Sequence, residues 1–242
     1  MIELKEVSFS YNNKVQVLSH INLKVEDNES IGIVGANGVG KSTILKLLVG
    51  LELGYQGEII VNHLKVEKNN LSEIRQKIGY VFQDSDSQLF MPTIYEDVAF
   101  APRNYGFSKE EVHTRTMEAL KSVGMEELKD KPIYHLSGGQ KKLASIATVL
   151  SMKPEILILD EPTVALDPKN RRRFMEVLHS LQGTKIIASH DLDLIYDTCK
   201  RTVLVADGKI IEDGLTKEIL TDKELLEKNG LELPLSFIKR EI

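Results

Sequence analysis

The sequence has little cysteine, no long apolar run and no excess of basic charge. One cysteine, Cys199, in 242 residues rules out an intramolecular disulfide and fits a reducing compartment. No stretch approaches the ~20 apolar residues of a membrane helix, and residues 1–5 do not resemble a signal peptide. The net charge of −5 supplies no basic surface for nucleic acid. We therefore expect a soluble, cytoplasmic chain with no nucleic-acid partner, so any membrane role would need another chain to supply the membrane part.

A glycine-rich stretch after a short apolar run, which we predict to be a strand, carries the first functional signal. Residues 31–43 read IGIVGANGVGKST and contain the phosphate-binding pattern G-x-x-x-x-G-K-[ST]. Glycines let backbone N–H groups point at phosphate oxygens, and the helix that follows adds unpaired N–H groups and a positive dipole end. Lys41 supplies a charge for the β- and γ-phosphates, and Ser42 a hydroxyl for Mg²⁺. The alternative, a glycine turn that binds nothing, fits poorly with the apolar residues at helical spacing after the loop.

Two carboxylates follow a second apolar run. Asp160 and Glu161 come directly after ILIL at residues 156–159. At the end of a buried strand near a phosphate loop, Asp160 can hold the hydration shell of Mg²⁺. Glu161 could then polarise the attacking water as a general base. The alternative is a core strand whose last residues reach solvent, and the phosphate loop in the same chain disfavours it.

A second candidate anion site lies at residues 136–140, which read LSGGQ. Ser137 is a natural N-cap, and apolar residues at helical spacing follow it at Leu143, Ile146, Ala147 and Leu150. A capped helix N-terminus preceded by glycines that allow close approach can bind a second anion. An ordinary N-cap without a ligand is the alternative for Ser-Gly-Gly by itself.

The remaining pattern predicts alternating strands and helices. Strands are predicted at residues 2–8, 17–26, 58–61, 78–82, 155–160 and 184–189, with a turn at Asn12-Asn13 and a hairpin at Asp207-Gly208. Helices are predicted from the capping box at Ser108 to Gly124, over 168–182 and over 215–229. The first two strands could form a small antiparallel sheet, and the later apolar runs suit central parallel strands covered on both faces.

These motifs, in this order and followed by Ser189-His190-Asp191, resemble an ATP-binding cassette (ABC) ATPase over essentially the whole chain. The resemblance implies an α/β fold: a P-loop NTPase (RecA-like) core with an N-terminal antiparallel β-subdomain and an inserted α-helical subdomain. It implies one ABC ATPase domain over 1–242. Residues 1–83 and 152–214 would form the core with the β-subdomain, 84–151 the helical insertion, and 215–242 a helical tail.

The resemblance also assigns roles to single residues. It implies that Tyr11 stacks on adenine, that Gln83 reaches Mg²⁺ and the attacking water, and that His190 contacts the γ-phosphate. Asp167 matches a loop that crosses to a partner subunit. ATP would bind to Tyr11, Gly35, Asn37, Gly38, Gly40, Lys41, Ser42 and Thr43, and Mg²⁺ to Ser42, Gln83 and Asp160. Catalysis would rest on Glu161, His190 and Gln83.

In the family that the chain resembles, two cassettes pair head to tail. ATP then lies between the phosphate loop of one cassette and LSGGQ of the other, where the γ-phosphate gains a second set of donors. The resemblance therefore implies that Ser137, Gly138, Gly139, Gln140 and Asp167 act across the dimer. Every motif is intact in this chain, so a homodimer with two competent sites is predicted, and a heterodimer stays open.

Two further stretches narrow the resemblance to energy-coupling-factor importers, which carry vitamins or transition-metal ions. Residues 81–90 (VFQDSDSQLF) and 95–100 (YEDVAF) are similar to this group, which implies a groove around residues 83–106 for a helix of the membrane subunit. Residues 231–235 (LELPL) resemble the end of the cobalt/nickel branch. The implied protein is an ATPase at the cytoplasmic face of the cell membrane, bound peripherally to integral membrane subunits.

Other functions remain possible on the same motifs. An energy-coupling-factor ATPase for vitamin uptake differs only in its cargo, and an exporter cassette differs only in its membrane partner. A non-transport ABC ATPase acting on DNA or ribosomes belongs to another class. It would need a long coiled-coil insertion or two cassettes in one chain, and a basic contact surface, none of which the sequence contains.

Overall fold

The computed structural model describes residues 1–12 and 15–238. The strands are β1 Ile2–Tyr11, β2 Val15–Val25, β3 Ser30–Val34, β4 Gln56–Val61, β5 Leu64–Lys65, β6 Ile78–Val81, β7 Ile156–Asp160, β8 Thr184–Ala188, β9 Arg201–Ala206 and β10 Lys209–Leu215. The helices are α1 Lys41–Leu48, α2 Leu71–Lys77, α3 Ile94–Asn104, α4 Lys109–Val123, α5 Gly138–Leu150, α6 Pro168–Ser180, α7 Leu192–Thr198, α8 Thr216–Thr221 and α9 Lys223–Lys228. Asn13 of the predicted turn and residues 239–242 of the predicted tail lie outside the described residues.

The chain forms two compact units, one built from Met1–Ile78 together with the chain from Gly183 onward, and one from Gly79–Gln182. In the first unit, an antiparallel sheet has the strand order β2-β1-β4-β5. Its central strand β1 alternates buried Ile2 and Leu4 with more exposed residues, as expected for a strand with one face on the core. The predicted N-terminal antiparallel sheet is therefore confirmed. The predicted domain boundaries after residues 83, 151 and 214 stay a prediction.

The first unit also contains strands in the order β10-β9-β3-β8. Strand β3 pairs in parallel with β8 on one side and β9 on the other. Because both faces of such strands are covered, their sequences are continuously apolar, as at Ile31, Ile33 and Val34. Strands β9 and β10 pair antiparallel through Ala206 and Lys209, which confirms the predicted hairpin.

In the second unit, β6 and β7 are neighbouring strands, and α4, α5 and α6 confirm three predicted helices. Helix α3 is a fourth, which the sequence analysis did not predict individually. Helix α5 contacts α3, α4 and α6. Ser108 caps α4 by accepting a hydrogen bond from the Glu111 N–H, as predicted. The Glu111 carboxylate accepts a 3.0 Å bond from Arg115 Nε one turn further along the helix. The α/β class with an antiparallel sheet, a parallel core and a helical region is confirmed.

The helical structure predicted over 215–229 is confirmed for most of that stretch. Two short helices, α8 and α9, occupy this stretch, and Leu215 still belongs to strand β10. Asp222 separates α8 from α9. Its backbone is extended, and its carboxylate accepts a bond from the Leu225 N–H, which caps α9. Among the described residues, no helix is long and apolar enough to cross a membrane.

Cys199 provides a test of the packing at the end of α7. The thiol is buried at the C-terminal end of α7, just after the last residue of the helix. Burial raises its pKa to about 12, against a smaller opposing effect of the Thr198 hydroxyl. Because the thiolate is the reactive form, we expect a thiol reagent at neutral pH to label the native chain very slowly and the chain in guanidinium chloride fully. Equal labelling rates in both states would contradict this packing.

Candidate functional site

The phosphate loop begins where β3 ends, and two of its glycines are required by its geometry. Gly35 has φ +154°, and a Cβ there would lie 2.2 Å from the Val205 carbonyl oxygen. Gly40 has φ +110°, and its Cβ would lie 2.6 Å from the Leu18 side chain. Since L-residues avoid both this backbone region and such contacts, only glycine fits either position. Gly35 and Gly40 therefore allow the backbone of the loop to curve so that its N–H groups can face a bound anion.

Helix α1 starts directly after the loop, with Gly40 as its N-cap. This residue has no side chain to accept bonds from the first N–H groups of the helix, which leaves that end of α1 suited to an anion. Lys41 is nearly buried, and its Nζ donates to the carbonyls of Gly35 (2.7 Å) and Ala36 (3.1 Å). The ammonium thus lies against the loop. A glycine-formed loop, a helix N-terminus and a lysine ammonium make a donor set that fits a triphosphate.

Tyr11 and Thr43 connect β1 to this helix. The hydroxyls of the two residues lie 3.3 Å apart, and the Tyr11 ring packs edge-on against Phe9. The structure therefore brings the predicted adenine-stacking aromatic to the first turn of α1. Asn37 and Gly38 are exposed on the loop, and Ser42 is half-buried at the helix start.

His190 lies at the same edge of the parallel strands as the phosphate loop. It follows β8, which pairs with β3, and the Ser189 N–H donates to the Ile33 carbonyl at 3.2 Å. The His190 side chain is exposed. Behind it, Asp191 caps α7 by accepting a bond from the Leu194 N–H at 3.0 Å. Carboxyl ends of neighbouring parallel strands are where α/β folds bind ligands, as predicted for this histidine.

In the second unit, the fully buried strand β7 ends at Asp160, and Glu161 follows it directly. Asp160 is 4% exposed and accepts a 3.2 Å hydrogen bond from the Tyr80 hydroxyl. Glu161 is 5% exposed and has a backbone φ of +44°. A non-glycine residue in this region stores strain, which functional sites retain when the surrounding structure enforces it. The sequence did not indicate Tyr80, because its contact depends on which strand lies beside β7.

Gln83 is exposed just after β6, and its backbone is held by a residue that the sequence analysis did not single out. Lys142 is 1% exposed, and its Nζ donates to the carbonyls of Phe82 (2.9 Å) and Gln83 (2.8 Å). Burial lowers the pKa of Lys142 to about 8, while the carboxylates of Asp160, Asp84 and Glu161 raise it. One signal was available in the sequence: Lys142 lies four residues before Ile146, on the apolar face of α5.

The LSGGQ residues form the capped start of α5. Ser137 Oγ accepts a bond from the Gln140 N–H (3.3 Å), and the Gln140 side chain accepts one from the Ser137 N–H (3.1 Å). This reciprocal capping box confirms Ser137 as the N-cap. Both Ser137 and Gly138 stay exposed, so the start of the helix is accessible to a ligand.

The structure brings residues on either side of Asp167, Ala165 and Asn170, close to the two glycines of LSGGQ. Asp167 caps α6 by accepting bonds from the backbone N–H and the side-chain amide of Asn170, both at 2.8 Å. A Cβ on Gly139 would lie 2.7 Å from that same amide nitrogen. A side chain at position 139 would therefore displace the Asn170 amide from its hydrogen bond with Asp167.

The predicted site residues thus fall into two groups. Tyr11, residues 35–43 and His190 lie in the first unit. Gln83, Asp160, Glu161, residues 137–140 and Asp167 lie in the second. In the described part of the chain, no group of three or more histidine, cysteine, aspartate or glutamate side chains could hold a metal ion.

The parallel strands, the loop at their carboxyl end and the capped LSGGQ helix define a nucleotide-binding α/β protein. The family described as ABC transporter matches residues 18–164. An energy-coupling factor transporter ATP-binding protein, EcfA, of Methanocaldococcus jannaschii is 43% identical over 97% of this chain and 86% of its own length. This chain therefore belongs to the ABC transporter family and is an ATPase of that family.

Two solved structures show the same fold. The structure of cbiO1 from Clostridium perfringens, described as part of the ABC transporter complex cbiONQ, has a TM-score of 0.83 and 38% identity. It covers 94% of this chain and 93% of its own. A dimeric bacterial ABC transporter cassette has a TM-score of 0.81 and 30% identity over 89% of this chain and 99% of its own. The predicted P-loop NTPase fold and the resemblance to energy-coupling-factor ATPases are confirmed.

The role of Lys41 can be tested against a second lysine in α1. We expect Lys41→Ala to weaken ATP binding about 10- to 100-fold, since a charge-assisted hydrogen bond contributes about 1.5–3 kcal/mol. Titration with a fluorescent ATP analogue measures the change. Lys46→Ala is the matched control, because it removes a half-buried lysine from the same helix, one turn beyond the loop. Equal affinities of the two variants would contradict the predicted role of Lys41.

Proposed function

We propose that this chain is the ATP-hydrolysing subunit of an energy-coupling-factor type importer, in which two copies bind ATP between them. The observation that carries the proposal is the presence of two different helix N-termini suited to phosphate in one chain. One follows the glycine loop at Gly40, and the other begins at the exposed cap Ser137. The similarity to EcfA over 97% of the chain supports the same assignment.

The predicted catalytic residues would divide the work between binding and chemistry. Lys41 and the loop N–H groups hold the phosphates, and Tyr11 stacks on the base. Bound Mg²⁺ would neutralise phosphate charge, held by Ser42, Asp160 and Gln83. Glu161 accepts a proton from the attacking water, and His190 orients the γ-phosphate. The buried position of Glu161 supports this role because a carboxylate shielded from bulk water keeps a defined position.

ATP would act as the link between two subunits. The exposed residues Ser137, Gly138 and Asp167 would donate to, or lie against, the nucleotide held by the phosphate loop of the second copy. Closure of the two subunits on each other is then favoured while the γ-phosphate is present and reverses after hydrolysis. This is a ligand-driven shift between two states, the open and the closed dimer. The dimeric cassette of similar fold supports a homodimer for this chain.

The membrane subunits would dock at the groove around residues 83–106. Phe90 is 64% exposed and Phe100 38% exposed, and their rings meet edge-on at 4.8 Å. Asp97 fixes the backbone that carries Phe90, because its buried carboxylate accepts bonds from the N–H groups of Phe90 (3.1 Å) and Met91 (3.0 Å). An exposed aromatic pair on a rigid support suits a helix that inserts apolar side chains. The protein would thus lie peripherally at the cytoplasmic face of the membrane.

For the cargo, we propose cobalt or nickel ions, with vitamins as the alternative. The support is the sequence of residues 231–235, which resembles the cobalt/nickel branch. Uptake of radioactive cobalt, nickel and vitamins by vesicles containing the co-purified complex tests this. ATP-dependent accumulation of a vitamin and of neither metal would overturn the metal assignment while leaving the importer proposal intact. Purification with ribosomes or DNA in place of membrane subunits would overturn the importer proposal itself.

Glu161→Gln tests the catalytic base. We expect the variant to bind ATP and to remain a closed dimer, because the amide cannot accept the proton while the phosphate-binding groups are unchanged. ATP hydrolysis should fall about 100-fold or more, the usual contribution of a general base. Light scattering after size exclusion measures the dimer, and phosphate release measures the rate. Hydrolysis at the wild-type rate would contradict the role.

Ser137 allows its capping role to be separated from its proposed contact with ATP. Ser137→Asn and Ser137→Asp both provide an N-cap as good as serine, but only aspartate adds a negative charge. In the Glu161→Gln background, we expect the asparagine variant to dimerise with ATP and the aspartate variant to stay monomeric. Both should bind ATP and unfold at the same temperature. An ATP-driven dimer of the aspartate variant would contradict binding across the interface.

A further inference from the structure

We infer that Lys142 is a positioning residue that fixes the backbone of Gln83 to the helix that begins at LSGGQ. Displacement of residues 83–106 would then move Gln83 and helix α5 together. The inference rests on the proposed role of Gln83 in hydrolysis. It goes further by naming the side chain that sets the position of Gln83 and connects it to the second anion site.

The geometry of two hydrogen bonds carries this inference. Lys142 Nζ contacts the carbonyl oxygens of Phe82 and Gln83, at 2.9 and 2.8 Å. These carbonyls belong to the two peptide planes on either side of the Gln83 Cα. Because peptide units are rigid planes, an ammonium that holds both of them fixes φ and ψ of Gln83. The direction in which the exposed Gln83 side chain leaves the backbone is therefore set by Lys142.

The surroundings of Lys142 make a purely stabilising role a poor explanation. A buried ammonium loses its hydration, and an apolar side chain of similar volume in its place is often as stable. Here the charge lies near the carboxylates of Asp160 and Glu161, which are the predicted Mg²⁺ ligand and general base. One side chain thus contacts the loop that carries Gln83 and lies in the field of the catalytic carboxylates.

A second set of hydrogen bonds, made by Gln88, joins the same loop to α5. Gln88 accepts a bond from the Phe82 N–H (3.1 Å) and donates to the Ser145 carbonyl (2.7 Å) and the Thr148 hydroxyl (2.9 Å). Residues 82–88 are therefore attached to α5 at two levels of the helix. Lys142 attaches the loop at Gln83, and Gln88 attaches it further along α5, at Ser145 and Thr148. A membrane helix bound in the groove would shift the loop and α5 as one body.

The test compares Lys142 with its neighbour Lys141, using the ATPase activity of the full chain. Lys142→Met keeps the length of the side chain but donates no hydrogen bond. We expect its kcat to fall about tenfold to a hundredfold, as for a small misplacement of a catalytic group, with the KM for ATP nearly unchanged. Lys142→Arg, which restores the donors, should recover most of kcat. Lys141→Met, which removes only the exposed ion pair with Asp86, should keep wild-type kcat.

A double-mutant cycle with Gln83→Ala separates positioning from general damage. If Lys142 acts through Gln83, Lys142→Met should cause no further loss of kcat in the Gln83→Ala background. Additive losses, or wild-type kcat of Lys142→Met, would overturn the inference. Wild-type kcat of Gln83→Ala alone would instead overturn the proposed role of Gln83. Thermal unfolding shows whether Lys142→Met folds. If it does not, the cycle is run with Lys142→Gln, whose shorter side chain cannot bond to both carbonyls.

Discussion

The parallel pairing of β3 with β8 and β9 is the constraint on which the first half of the site depends. It places the loop after β3 and His190 after β8 at the same edge, with the Ser189 N–H bonded to the Ile33 carbonyl. The loop then has to pass close to Val205 of β9, which is why Gly35 cannot carry a Cβ. The same pairing that builds the core therefore sets both the position of the phosphate loop and its need for glycine.

The sequence predicted the features that short-range physics controls. The N-cap at Ser137, the hairpin at Asp207-Gly208 and the strand before the phosphate loop all depend on neighbouring residues, and the structure confirms them. The helical stretch over 215–229 is divided into two helices for a local reason as well. Asp222 lies between them and caps the second helix with its carboxylate, which accepts a bond from the Leu225 N–H.

Contacts between distant residues could not be predicted in the same way. The bond from Tyr80 to Asp160 requires knowing that β6 lies beside β7. The contact of Gly139 with Asn170 requires knowing that the start of α6 lies beside the start of α5. Lys142 was overlooked because lysine on a helix usually extends into solvent, even where its spacing coincides with the apolar face. Its burial became meaningful only once the two carbonyl acceptors were identified.

Helix α5 illustrates how a binding site can be preorganised before its ligand arrives. The capping box of Ser137 and Gln140 satisfies the first turn internally, so the helix start keeps its form without an anion. Lys142 and Gln88 attach the following turns to residues 82–88. The ligand proposed to bind at Ser137 would therefore meet a helix that is already ordered, and its binding free energy would not be reduced by the entropy of ordering that helix. In the proposed dimer, the free energy of binding would then remain available for the movement that closes one subunit on another.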